Sequence, residues 1–276
     1  MNIIQAIILG IVEGLTEFLP ISSTGHIILV EKLLGIEKTN SFFTVVIQFG
    51  AILAAVWFFR SRIKEIAFVS FGAIKAKKQY SKMNHEEKYG IWILVSIIPT
   101  LVVGFLLRKK IDEWQNSTII IIVSTIVFGI IFYAIEKYQA NHKTIDTKDL
   151  TLKNLLIMGL AQAIAVIPGV SRSGSTIAGG LTQKISIKDA VELSFIMGIP
   201  VILIASLYKI VTGLDGLSFD IVIMTIIGTL TSFCVGLWSI RLTLGVLVKH
   251  GFFPFMLYRL GLGIVLSCFV YLGIFR

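Results

Sequence analysis

Residues 10–26 read GIVEGLTEFLPISSTGH and residues 159–175 read GLAQAIAVIPGVSRSGS, the same pattern at a constant offset of 149 residues. In this register Glu13 stands opposite Gln162, Ser22 opposite Ser171, and Ser23 opposite Arg172. Each copy is an apolar run with helical spacing, interrupted by proline, glycine and hydroxyl residues. A break in a helix at membrane depth strips backbone groups of their partners. It is tolerated only where protein or a wet cavity receives them. Two such breaks carrying acids, hydroxyls and an arginine therefore mark the place to look for a site.

The surroundings are oily. The chain has 276 residues, 55% hydrophobic and 15% charged, with a mean hydropathy of +0.88. Soluble domains carry about 25% charged residues, so this is a multi-pass membrane protein. Crossing a hydrocarbon core takes about 20 helical residues. Segments 42–59, 89–107, 117–136, 190–209, 217–240 and 253–274 meet that length and are apolar. Regions 2–35 and 153–183 instead hold two half-length helices around a break, which suits a re-entrant hairpin. The expected fold is an all-α membrane protein with six transmembrane helices and two re-entrant helix hairpins. It forms one integral domain over residues 1–276, with a first repeat at about 1–136 and a second at about 153–276.

Charge orients it. Of 25 basic residues, eight lie between Arg60 and Lys88 and four between Lys137 and Lys153. Basic residues in short loops beside spans mark the cytoplasmic side, so the net charge of +9 points to a membrane rather than to nucleic acid. Three spans then separate the hairpins, which must enter from opposite faces, giving an inverted-topology repeat with its site near the midplane. The arrangement puts 16 basic residues inside and seven outside, with Arg172 and Arg259 embedded. Arg108-Lys109-Lys110 is the outlier, partly offset by Asp112 and Glu113. A fainter echo pairs Pro99 to Gly104 with Thr231 to Gly236. Cys234 and Cys268 read as packing residues. The apolar N-terminus lacks a basic leader and is expected to remain in the protein.

The polar residues suggest chemistry. Glu13 and Glu17, four apart, share a helix face. They suit a divalent cation, Mg²⁺ or Ca²⁺, or a proton; pairing with arginine is the plainer alternative. Ser22, Ser23, Thr24 and Gly25 fall at the start of a half-helix, where backbone N–H groups bind anions or a hydroxyl simply caps. His26 is a candidate general acid or base. Arg172, among Ser171, Ser173 and Gly174, offers a guanidinium for phosphate, and Gln162 would help line the cavity. Arg259, Glu192 and Asp220 lack such company, and snorkelling or interhelical pairing accounts for them.

EGLTEFLPISSTGH together with PGVSRSGST closely resembles the undecaprenyl-diphosphatase family linked to bacitracin resistance, and the resemblance runs through essentially the whole chain. It implies a multi-pass phosphatase of the bacterial inner membrane. Such an enzyme hydrolyses undecaprenyl diphosphate to undecaprenyl phosphate and inorganic phosphate, recycling the carrier lipid for cell-wall synthesis. By motif position the resemblance implies functional roles for Glu13, Glu17, Ser22, Ser23, Thr24, His26 and Arg172. It also implies dependence on a divalent cation and a site open to the periplasm or exterior. Whether Ser23, Thr24 or a water is the nucleophile stays open, as does self-association into a homo-oligomer. A transporter or lipid flippase is the rival reading, since inverted repeats with broken helices also build transporters.

Overall fold

The structure, a computed structural model, describes residues 1–36, 41–212 and 218–273. Lys38 and Arg276, assigned to the outside from sequence, lie beyond these residues, as do the ends of segments 217–240 and 253–274. Among the described residues there is no strand, only an isolated parallel bridge between Ile145 and Ile185.

The first broken segment is α1 (Ile3–Thr16) and α2 (Ser23–Leu33). The second is α9 (Leu152–Ala163), a 3₁₀ turn at Ile164–Val166, and α10 (Arg172–Thr182). Both open with the same device. Asn2 and Gln5 form a reciprocal capping box at the start of α1, and Thr151 and Asn154 do so on α9. These residues again differ by 149 positions, so the repeat extends to the caps, satisfying N–H groups that a helix start leaves unpaired.

Between the broken segments lie α3 (Ser41–Phe58), α4 (Arg60–Lys75), α5 (His85–Ser96), α6 (Ile98–Leu106), α7 (Arg108–Gln115) and α8 (Thr118–Gln139). After them come α11 (Ile187–Thr212), α12 (Phe219–His250) and α13 (Phe253–Tyr271). Five described helices are long and apolar enough to cross a membrane: His85–Leu106, Thr118–Gln139, Ile187–Tyr208, Phe219–His250 and Phe253–Tyr271. The α3–α4 pair makes a sixth if its 76° bend is taken as one span. Each expected segment has its counterpart.

Two expectations change. The polar stretch after residue 59 is not simply a loop, because Arg60 to Lys75 continue as α4, turned away from α3 with Phe68 and Phe71 exposed. The segment expected to end at 240 runs as helix to His250. The backbone ladder does not stop where hydropathy falls, and the long stems of Arg241 and Lys249 can reach toward water.

The halves pack crosswise. α1 lies mainly on α12, while α9, beyond its hairpin partner α10, lies on α5 and α6. The contacts are backbone-close: a Cβ on Gly10 would meet the Gly228 carbonyl oxygen at 2.5 Å, and one on Gly159 would overlap that of Ser96. Ser96 and Gly228 differ by 132 residues, the offset of the Pro99 and Thr231 echo. Small residues let these backbones approach where lipid supplies little driving force for association. α3 packs on α11 and α12, and α13 packs on α8. The elbow of the first segment is walled by Phe18, set edge-to-face on Phe195 of α11 at 5.2 Å.

Candidate active site

The elbows turn through the same unusual backbone. Ser22 and Ser171, equivalent in the repeat, cap α2 and α10 with φ of 72° and 81°. A left-handed φ is uncommon for a serine and persists where the surroundings impose it. The Ser22 hydroxyl accepts from the Gly25 N–H at 3.4 Å, and that of Ser171 from the Gly174 N–H at 3.1 Å. Both hydroxyls are thus engaged as caps. Behind them, a Cβ on Gly174 would collide with the Phe132 ring.

The turn aims the next side chains at each other. Arg172 Nη2 donates to Glu17 Oε1 at 2.8 Å, an ion pair that joins the two elbows. The other carboxylate oxygen, Glu17 Oε2, accepts from the Ser23 hydroxyl at 2.5 Å. Arg172 Nη1 donates to the Ser194 carbonyl on α11 at 3.0 Å. The guanidinium lies against Gly198, where a Cβ would overlap it. Gly198 has no side chain and lies outside both repeated motifs, so the sequence gives no sign of this contact. Arg172 Nε, though buried, has no partner.

Glu13 is fully buried, its carboxyl lies against that of Glu17, and no backbone N–H, hydroxyl, amide or cationic group donates to either of its oxygens. Its repeat counterpart Gln162 is equally buried but satisfied: its amide nitrogen donates to Thr100 Oγ1 at 3.2 Å, and its oxygen accepts from Thr176 Oγ1 at 3.2 Å. Gln162, expected to line the cavity, is therefore held inside a protein network. Ser173 Oγ donates to the Leu19 carbonyl at 3.1 Å, a second tie between the elbows. Thr24 is partly exposed. His26 is buried, with Nδ1 2.7 Å from the Ser22 carbonyl oxygen and Nε2 2.6 Å from the Tyr258 hydroxyl. A carbonyl can only accept, so Nδ1 carries the proton, and in the neutral ring the Tyr258 hydroxyl donates to Nε2. Tyr258 was not visible as a site residue in the sequence, lying 232 residues from its partner.

Arg259 corrects the sequence expectation most sharply. It neither snorkels nor pairs with a carboxylate. It is 0% exposed and ends on backbone carbonyls alone. Nη1 donates to Pro20 at 3.0 Å and Val170 at 3.1 Å, Nη2 to Gly169 at 2.7 Å and Ser124 at 3.3 Å, and Nε to Thr125 at 2.8 Å. Pro20 and Gly169 are repeat equivalents. One guanidinium therefore satisfies carbonyls that both helix breaks set free. Glu192, the other outlying candidate, lies 3.9 Å from Arg62 as part of a surface pair, and Asp220 sits in the first turn of α12.

The site also bears on a divalent ion. Among the described residues no three His, Cys, Asp or Glu side chains converge on one point. What exists is the pair Glu13, on α1, and Glu17, its C-cap one turn later, with Glu17 Oε2 accepting from the Ser23 hydroxyl and no donor on either Glu13 oxygen. A hard cation that keeps waters and bridges to phosphate needs only one or two carboxylates from the protein. The donor set fits such an ion.

Residues 6–265 match the family described as "Bacitracin resistance protein BacA". The chain is 38% identical over 274 residues to an undecaprenyl-diphosphatase of Persephonella marina, covering 98% of this chain and 100% of that one. It is 36% identical over 278 residues to one of Bdellovibrio bacteriovorus, covering 99% and 98%. A third, of Ectopseudomonas mendocina, is 37% identical over 263 residues, covering 95% and 92%.

Proposed function

Because this chain belongs to the bacitracin resistance protein BacA family, we propose that the Glu17–Arg172 junction is where it works on its lipid substrate. The protein is a hydrolase of the undecaprenyl-diphosphatase type, a multi-pass membrane enzyme that converts undecaprenyl diphosphate to undecaprenyl phosphate and inorganic phosphate. Bacitracin resistance is the family's association. One observation carries the placement: the 2.8 Å ion pair joins side chains from two separate helix breaks.

Arg172 holds the diphosphate, using its unpartnered Nε and the Nη2 now turned to Glu17. The N–H groups at the start of α2 and α10 add partial positive charge on the phosphate oxygens. Ser23 Oγ is the favoured nucleophile, since its proton already points at Glu17 Oε2. Glu17 takes that proton as Oγ bonds to the terminal phosphorus. The bond to the bridging oxygen breaks, and undecaprenyl phosphate leaves with the electron pair. Glu17 gives that proton to the departing phosphate. Water then attacks the phosphoserine, its hydroxyl bonding phosphorus while its proton passes through Glu17 to Ser23 Oγ as the P–Oγ bond breaks, and inorganic phosphate departs with the serine restored. His26, turned to Tyr258, borders this path rather than lying in it. A divalent cation, Mg²⁺ or Ca²⁺, would sit on Glu13 and Glu17 and supply charge neutralisation of the diphosphate. Phosphoryl transfer rests mostly on such positioning and electrostatics.

The isoprenoid tail needs an apolar exit. A groove of about 300 Å³ between α8, α9 and α10 includes Phe128, Ile131, Leu160, Ile164 and Ala178. It reaches Ser175, whose hydroxyl bonds the Arg172 carbonyl at 3.1 Å. This continuity with the arginine-bearing helix supports reading the groove as the tail's path. In this reading the head-group site opens toward the periplasm or exterior, as the family resemblance implies, away from the basic loops expected in the cytoplasm.

The test is release of inorganic phosphate from undecaprenyl diphosphate by the purified chain in detergent, with Arg172→Ala as control. Without a membrane barrier a pure transporter releases none. Folded protein that stays silent with both Mg²⁺ and Ca²⁺ would reverse the assignment.

A further inference from the structure

We propose that the hydroxyl of Ser232, on α12, is a positioning residue of the site, holding Glu13 by a hydrogen bond when the site is loaded. The inference rests on the reading of the Glu13–Glu17–Arg172 centre as the place of reaction.

The buried side-chain atoms that lack any partner, among the described residues, are Glu13 Oε1, Glu13 Oε2, Arg172 Nε and Ser232 Oγ. Buried polar groups are nearly always paired, so an orphan asks for an explanation. Three of the four belong to the site already described. Ser232 is the one from elsewhere, and it is 0% exposed. A serine within a helix usually turns its hydroxyl back onto a carbonyl of the preceding turn. The other hydroxyls of α12 all find a carbonyl: Thr225, Thr231 and Thr243 bond their own helix, Thr229 bonds Val46, and Ser239 bonds Leu15. Ser232 alone does not.

The repeat says what Ser232 faces. The close approaches of Gly10 to Gly228 and of Gly159 to Ser96 set α12 against α1 as α6 and the end of α5 are set against α9. In that register, a shift of 132 residues, Ser232 answers Thr100. Thr100 is the residue whose hydroxyl accepts from Gln162 Nε2 at 3.2 Å, and Gln162 answers Glu13. The packing on the other side agrees, because the Ser232 carbonyl oxygen lies 2.5 Å from where a Cβ of Gly14, next to Glu13, would be. In the second half the pair is Gln and Thr, and it is closed. In the first half it is Glu and Ser, and the pair is not closed: the Ser232 hydroxyl has no partner and Glu13 lies only against the Glu17 carboxyl. The second half has kept the pair as structure, and the first has left it available to a ligand. A hydroxyl donating to one Glu13 oxygen orients the carboxylate and leaves its other oxygen for the cation or the substrate's phosphate. Arg172 Nε is the remaining buried donor without a partner.

Ser232→Ala and Ser232→Thr, made in the full chain and assayed in detergent, test this. Ser232→Ala is expected to lower kcat about tenfold, the weight of one hydrogen bond to a charged group, with KM changed less than about twofold. Ser232→Thr, which copies Thr100, restores kcat to within about twofold. A second readout does not need turnover. The infrared difference spectrum on adding inorganic phosphate and Mg²⁺ contains a carboxyl band assigned by its loss in Glu13→Gln, and Ser232→Ala shifts that band. Wild-type kcat with an unshifted band in Ser232→Ala overturns the proposal. So does an equal fall in both variants with a lowered unfolding temperature, which would make Ser232 a packing residue only. Failure of the functional reading looks different: wild type then releases no phosphate at all, while the Glu13 band still reports whether Ser232 bonds it.

Discussion

At the scale of single residues, the site depends on one arginine reaching across from one elbow to a carboxylate of the other. Guanidinium geometry matters as well as charge. Arg172→Ala and Glu17→Gln are each expected to lower phosphate release by about 10³-fold, and Arg172→Lys will not restore it. Near-normal release by either of the first two would remove that residue from the reaction. The hydroxyls separate by their partners. Ser23 is bonded to Glu17, so Ser23→Ala should abolish a trappable phospho-enzyme while Thr24→Ala retains it. If both keep full turnover, water is the nucleophile. Ser22 shows a different constraint, since its φ of 72° suits glycine. Ser22→Gly should lose only a few tenths of a kcal/mol, whereas Ser22→Val, β-branched at positive φ, should lower the unfolding temperature clearly.

At the scale of elements, each break is a helix with missing hydrogen bonds, and Arg259 gathers carbonyls from both. Its bonds to Pro20, Gly169 and Val170 fix the elbows relative to each other, and with them the Glu17–Arg172 distance. Bonds to a charged donor are worth about 1.5–3 kcal/mol each. Arg259→Met should therefore destabilise by more than about 3 kcal/mol, and Arg259→Lys, which cannot fork, should recover only part. Thermal unfolding in detergent measures both. The outer limbs rely on bare backbone contact instead. Gly159→Val would force α9 off α5, as Gly10→Val would force α1 off α12, so both should reduce folded yield.

At the scale of the molecule, the crossed packing of the halves brings two distant motifs together and leaves an apolar groove between α8, α9 and α10. Filling that groove with Ala178→Phe should reduce kcat/KM for undecaprenyl diphosphate about tenfold while sparing farnesyl diphosphate. Equal effects on both substrates would move the tail elsewhere. Orientation has its own test. With Cys234 and Cys268 replaced, cysteines introduced at Lys75 and Lys143 should react only with reagents admitted to the cytoplasm; labelling from outside would invert the hairpins.

The sequence alone determined the all-helical membrane fold, the positions of the spans and the existence of two equivalent breaks. Hydropathy and spacing act locally, within one helix length, and leave a direct trace in the order of residues. It also singled out Glu17, Ser23 and Arg172, which the structure joins by hydrogen bonds, because polar groups in an oily setting stand out and the repeat aligned their two motifs. Other roles waited for the tertiary structure. Ser22 and Ser171 proved to be caps at positive φ, Gln162 closed on Thr100, and α4 took the place of a loop. Tyr258, Gly198, Arg259 and Ser232 fall outside the two repeated polar motifs, so the order of residues did not mark them as parts of a site. Their parts depend on which backbone carbonyls and side chains from remote helices lie within about 3 Å, and only the packing of the two halves decides that.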